Sequence, residues 1–107
     1  MNDNDPESTD FYEQTLLRGY SQEEIKEIQD LMQKWERATY PTLAHSIVDH
    51  ADRHGFKDNY LKYLRKAANF HKKGAKKKQL PNEALRWNKG TEFLIERNNK
   101  IISYGDN

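Results

Sequence analysis

The chain contains no cysteine, which excludes a disulfide framework and any thiolate metal site. It has no apolar run long enough for a signal-peptide core or a membrane span, so a soluble form is expected. Export would depend on something outside this chain. Apolar residues are scarce, at 35% against 33% charged, so the core must be compact and any tail is expected to stay unordered. At 107 residues this is one small domain, near the lower limit for a self-sufficient core. Internal repeats and heptads are absent.

Net charge is also nearly absent, at +1, but that value hides a division. Residues 1–52 carry 12 acids and 4 bases, and residues 53–107 carry 14 bases and 5 acids. Such asymmetry marks a basic nucleic-acid surface joined to an acidic segment, or two halves that attract each other.

Residues 1–12 are acidic and aperiodic and read as a flexible lead-in, followed by a single domain over 13–107. Ser21 and Glu24 form a capping box ahead of Ile25, Ile28, Leu31, Met32 and Trp35, which predicts a helix over 22–38. Pro41 suits the first turn of a second helix, whose buried face is Leu43, Ala44, Ile47, Val48 and Ala51 and whose stop is Gly55. Asp58 can cap a third helix over about 59–73, with His71 on its inner face and Gly74 at its end. From Ala84 the period becomes alternating. Leu85 to Trp87, Glu92 to Arg97 and Lys100 to Tyr104 read as antiparallel strands. The fold class is therefore α+β, with about three N-terminal helices packed on a small C-terminal antiparallel sheet of three or four strands.

Turn chemistry sets a register. Asn98-Asn99 as a two-residue turn pairs Ile95 with Ile102, Leu94 with Ser103 and Phe93 with Tyr104. A three-residue loop at Asn88-Lys89-Gly90 pairs Thr91 with Trp87 and Glu92 with Arg86. Phe93, Ile95, Ile102, Tyr104, Leu85 and Trp87 then face the core, as does Thr91, and Arg86, Glu92 and Ser103 face outward. A slip of one residue reverses each assignment.

Without cysteine, histidine is the main group able to exchange a proton near neutral pH. His50 and His54 are four residues apart, so a helix places both on one face at the edge of the apolar stripe. His45 and His71 read as structural or surface residues. Beyond His54 comes a basic stretch, in which Lys72, Lys73, Lys76, Lys77 and Lys78 suit contacts along a phosphate backbone or a merely solvated loop. Proton-transfer groups beside phosphate-binding groups are what RNA cleavage requires.

The words His50-Ala51 with His54-Gly55-Phe56, Tyr63-Leu64-Arg65-Lys66-Ala67-Ala68-Asn69-Phe70, Thr91-Glu92-Phe93-Leu94-Ile95 and Lys100-Ile101-Ile102-Ser103-Tyr104 resemble bacterial polymorphic-toxin ribonuclease domains. These form the barnase/EndoU/colicin/RelE-like superfamily, and the likeness, over about residues 42–107, is to the colicin D type of tRNase and to contact-dependent growth inhibition toxins. The resemblance implies a metal-independent endoribonuclease without a cofactor, usually acting on tRNA. It further implies delivery as part of a larger effector into the cytoplasm of a target cell, and a cognate immunity protein as partner. By that analogy His50 is the first acid–base candidate, Ser103 lies on a late active-site strand, and Thr91 stands where relatives carry a polar strand residue. Tyr104 is the nearest counterpart of a late aromatic substrate contact. On this scheme His50 and His54 transfer protons, Arg86 stabilises the phosphorane, Ser103 binds the phosphate, and Glu92 orients Arg86 or acts as a base.

Other readings of the same residues are blander. His54 would favour a helix dipole, His50 would be half-buried and structural, and Arg86 would pair with Glu92 across strands. Trp87 fits a core residue better than a base-stacking platform. A zinc site at His50 and His54 lacks the glutamate of the H-E-x-x-H pattern, and Arg53 would repel the ion. A non-catalytic RNA-binding or toxin-regulating module using only the basic stretch is the alternative of a different class.

Overall fold

The computed structural model describes residues 9–106. Four helices, α1 (Thr9–Leu17), α2 (Gln22–Met32), α3 (Leu43–Arg53) and α4 (Tyr60–Ala68), precede four strands. The strands are β1 (Lys76–Gln79), β2 (Leu85–Lys89), β3 (Glu92–Arg97) and β4 (Lys100–Asp106), with a 3-10 turn (Pro81–Glu83) between β1 and β2. They form one antiparallel meander in the order β1-β2-β3-β4. The class is α+β, but with four helices rather than three and with a helical turn inside the sheet segment. The first eight residues of the acidic lead-in lie outside the described residues, and α1 takes up its last four. Among the described residues no helix is long and apolar enough to cross a membrane.

The capping box forms as its residues require: Glu24 N–H donates to Ser21 Oγ at 3.1 Å and Ser21 N–H to Glu24 Oε1 at 2.9 Å. The helix stops six residues earlier than its apolar rhythm suggests. The cause is the free edge of β4. Ile101 N–H donates to the Lys34 carbonyl at 2.8 Å and Glu36 N–H to the Ile101 carbonyl at 2.9 Å. An edge strand's unpaired amides outweigh one more helical turn. Trp35 is still buried, at 4% exposure, but from an extended segment that bridges Ile101.

Pro41 lies ahead of α3 and not in its first turn; Thr42 caps the helix, accepting from His45 N–H at 3.1 Å. At the other end Gly55 adopts φ +88°, Phe56 N–H returns to the Ala51 carbonyl at 2.8 Å, and Gly55 N–H to the Asp52 carbonyl at 3.4 Å. This is the Schellman arrangement that glycine permits. The N-cap of α4 is Asn59, with Asp58 at φ +63° before it, so Asp58 is not the cap. Helix α4 ends at Ala68, and His71 is exposed instead of inward.

The apolar cluster joins Leu16 of α1, Ile28 of α2, Ile47 of α3, Leu64 of α4, and Leu94 and Tyr104 of the sheet, all almost fully buried. Tyr63 reaches the backbone of β4. Its hydroxyl donates to the Tyr104 carbonyl at 2.6 Å and accepts from Tyr104 N–H at 3.2 Å.

The sheet register differs from the expected one at two places. Lys89 pairs with Glu92, so the β2–β3 loop has two residues, with Gly90 at φ +61° in its first position. Asn98 and Asn99 do form the expected two-residue turn, at φ 53° and 66°. A bulge next to Ile95 and Glu96 then pairs Ile95 with Ser103 rather than Ile102, and Leu94 with Tyr104. As a result Arg86, Ile95 and Ser103 form one cross-strand row, and Trp87, Leu94 and Tyr104 the next, on the opposite face. Phe93 and Ile95 therefore lie on the face of Arg86, not on that of Tyr104.

Candidate functional site

The face carrying Arg86 is built by β1, β2, β3 and β4 together. Lys78, Arg86, Ile95 and Ser103 are successive cross-strand partners, and Lys76, Asn88, Phe93 and Gly105 form the parallel row beside them. The Arg86 guanidinium lies over the Phe93 ring, 4.1 Å from its centroid, and Nε donates to Asn88 Oδ1 at 3.0 Å. The His54 ring also meets Phe93, edge to face at 5.3 Å. The Phe93 ring can lie against β4 because residue 105 is glycine. A Cβ there would sit 2.2 Å from Phe93 Cε2.

Helix α3 supplies both histidines, with His54 as its C-cap. His50 is 8% exposed, and its Nδ1–H donates to the Ser46 carbonyl at 2.9 Å. That bond fixes the tautomer and leaves the lone pair on Nε2. Among the described residues no fully buried side-chain nitrogen or oxygen lacks a hydrogen-bond partner. His50 Nε2, both ring nitrogens of His54 and the two Nη groups of Arg86 have no partner there, so each reaches solvent. The Trp35 and Tyr40 rings enclose the rest of His50, at 6.5 and 5.4 Å between centroids. Tyr40 donates to Asp49, which also accepts from Arg53 at 2.6 Å.

Burial holds His50 below the ordinary histidine value of 6.5, and the charges of Arg53 and His54 act in the same direction. His54 is also lowered, first by burial and then by Arg53 and Arg86. Both imidazoles are consequently neutral at pH 7 and available as bases. Ser103 is buried beside the Tyr63 hydroxyl, whose own value burial pushes upward.

Several residues singled out from the sequence stand elsewhere. Glu92 is not opposite Arg86. It pairs with Lys89 and Asp106 and accepts from the Tyr104 hydroxyl on the other face. Among the described residues Arg86 forms no ion pair. Tyr104 is fully buried and so offers no surface to a substrate. Thr91 lies in the exposed β2–β3 turn, neither on the core side nor in the site, and donates to Asp106 Oδ1 at 2.6 Å. Lys72 pairs with Glu96 at 2.7 Å and lies over Trp87. Lys73 is exposed on the approach to β1, and Lys77 covers the Trp87 ring at 5.7 Å. Only Lys76 and Lys78 of the basic stretch share the Arg86 face. The stretch at 76–78 is a strand, not a loop, because it pairs with β2, and its lysines therefore alternate between the two faces of the sheet edge. His45 is structural, stacked on Tyr12 at 3.9 Å.

Sequence reasoning missed Asn88, and it placed Phe93, correctly buried, on the opposite face of the sheet from Arg86. The signal for both was Gly105: a glycine in a strand interior marks a close approach, here that of the Phe93 ring. Comparison with protein-family models, with curated proteins and with solved structures returns no match. Among the described residues no cluster of three or more metal-ligating side chains occurs.

Proposed function

We propose that this chain is an antibacterial toxin domain that cleaves RNA, with tRNA as the substrate class, and needs no metal ion. One observation carries the reading: the His54 imidazole, at the end of the helix that also bears His50, stands beside a sheet face that carries Arg86, Lys76 and Lys78. In this scheme one histidine removes the proton of a ribose 2′-hydroxyl, and that oxygen attacks the adjacent phosphorus. The other histidine protonates the 5′-oxygen as its bond to phosphorus breaks, leaving a 2′,3′-cyclic phosphate and a free 5′-hydroxyl. Arg86 meets the charge that develops on the non-bridging oxygens. His50 suits the base role, since its Nδ1 bond leaves the lone pair on Nε2. Ser103 contributes at the end of the same cross-strand row. Delivery inside a larger effector and neutralisation by an immunity protein belong to the same proposal.

Expression of the chain in bacteria, followed by electrophoresis of total RNA, tests this. Growth arrest with discrete tRNA fragments, persisting with purified protein in EDTA, is the expected outcome. Intact RNA alongside measurable RNA binding would instead support a non-catalytic module. The observation favouring that second reading is that every residue of the lysine strand β1 is exposed, so it can meet a phosphate backbone without any proton transfer by the histidines.

Acidity should govern the reaction in a definite direction. A base that must be neutral and an acid that must be protonated work best together midway between their two values. Both histidines lie below 6.5, so cleavage is expected to peak on the acid side of pH 6.5. Stability runs the other way. A lowered folded value means the unfolded chain binds more protons, so the histidine contribution is complete above 6.5 and is lost as pH falls through the folded values. A cleavage optimum at pH 8 would contradict the two-histidine scheme.

The lysines separate by face. Lys76→Ala and Lys78→Ala are each expected to reduce the slope of log affinity against log salt by about one unit at most. Lys72→Ala should instead lower the melting temperature, because it leaves the buried Glu96 carboxylate without its counter-charge, held only by the Trp87 indole N–H. Salt titrations and thermal unfolding on the three variants check this.

A further inference from the structure

We infer that Arg86 and Lys78 form a prebuilt site for a single phosphate group, with Asn88 as the residue that aims the guanidinium; this deepens the RNA-cleaving reading. Two independent observations meet here. The first is geometric. Arg86 Cζ lies over the Phe93 ring at 4.1 Å and Asn88 Oδ1 takes the Nε–H at 3.0 Å, so the group is already restrained by a ring contact and along one edge. Both Nη groups are left without a partner among the described residues and reach solvent. A guanidinium restrained in this way presents a fork whose spacing matches two oxygens of a phosphate, and little side-chain freedom remains to be lost on binding.

The second observation is electrostatic. Lys78 is the direct cross-strand partner of Arg86. Like charges placed opposite each other destabilise a strand pair, and none of the ion pairs in the described residues places a carboxylate on either one. Glu92, the acid that could have neutralised Arg86, is turned to the other face by the two-residue β2–β3 loop. The pair is left as a local excess of positive charge on an otherwise almost neutral chain. An anion bridging Arg86 and Lys78 would relieve that repulsion. The tetrahedral oxyanion of a phosphodiester or of free phosphate fits it, whereas a planar carboxylate satisfies only the arginine fork.

Inorganic phosphate is the probe. At constant ionic strength set with chloride, increasing phosphate should raise the melting temperature of the intact chain progressively, as a ligand of the folded state does. Arg86→Ala should abolish the rise. Lys78→Ala should weaken phosphate affinity roughly tenfold, the equivalent of one charge-assisted contact. Asn88→Leu should weaken it similarly while leaving the melting temperature in chloride alone nearly unchanged. It should also broaden the Arg86 Nε–H resonance, which a merely structural asparagine would not affect. A phosphate response retained in Arg86→Ala, or absent from the unaltered chain, overturns the inference. Cleavage measured on the same unaltered protein is a separate readout: RNA cut without any phosphate response would strike the phosphate site and spare the nuclease reading. A phosphate response without cleavage would do the reverse.

Discussion

His50→Asn is expected to lower RNA cleavage by about 10²–10⁴-fold, the usual contribution of a general acid or base, while the chain stays folded. Asparagine is the informative replacement because its amide nitrogen can keep the donation to the Ser46 carbonyl that Nδ1 makes at 2.9 Å. What it cannot supply is the lone pair at Nε2. The imidazole fills space between Trp35 and Tyr40, so a loss of about 1–2 kcal/mol of stability is expected from the smaller side chain. For a domain of this size that is a fall of roughly 4–16 °C in melting temperature. A structural histidine would give a different pattern, with activity falling only as far as the folded fraction does. Cleavage rate and thermal unfolding on one preparation separate the two, and a folded, fully active His50→Asn protein would remove His50 from the mechanism.

Gly105→Ala should be the most damaging change of a single methyl group. The new Cβ would lie 2.2 Å from Phe93 Cε2 and 2.7 Å from Cζ, well inside contact distance. Phe93 is itself buried, at 6% exposure, so its ring cannot turn away without disturbing its contacts with Arg86 and His54. Overpacking of this kind costs about 1–3 kcal/mol. Cleavage is expected to fall further than stability accounts for, because both groups of the site rest on the displaced ring. Gly105→Ala with Phe93→Leu would make room for the methyl group and should recover stability without recovering cleavage. If the double variant recovered both, Phe93 would not be supporting the site.

Local signals in the sequence translated well into structure. The Ser21–Glu24 box, the Gly55 stop and the Asn98-Asn99 turn each rest on chemistry within a few residues, and each is present. Failures came where distant partners decide. Helix α2 ends early because Lys34 and Glu36 hydrogen-bond to Ile101, which no window around residue 35 contains. The sheet is more instructive. The β2–β3 loop is one residue shorter than expected, which turns β3 over relative to β2. The bulge in the β3–β4 pair then adds one residue and turns the pairing back. Arg86 and Ser103 were therefore correctly placed on a common face, and Trp87 opposite them with Tyr104. Only the strand between them was inverted, which brought Phe93 into the site and took Glu92 out of it. The i,i+4 spacing located both histidines, but their different surroundings depend on Trp35, Tyr40 and Phe93, which reach them through tertiary contacts.

The strap of residues 34–36 along β4 also orders events in time. Lys100 Nζ donates to the Gln33 carbonyl across 67 residues of chain, and Trp35 bridges Ile101 beside it. Closing so long a loop is entropically costly and can happen only after the final hairpin exists. The indole of Trp35 therefore passes from water to the interior late in refolding, and its emission should shift with the slowest phase of the reaction. Trp87 sits in the β2–β3 hairpin, whose contacts are local, and should change earlier. With Trp87→Phe, the remaining tryptophan becomes an intrinsic clock for the moment at which the fold is complete.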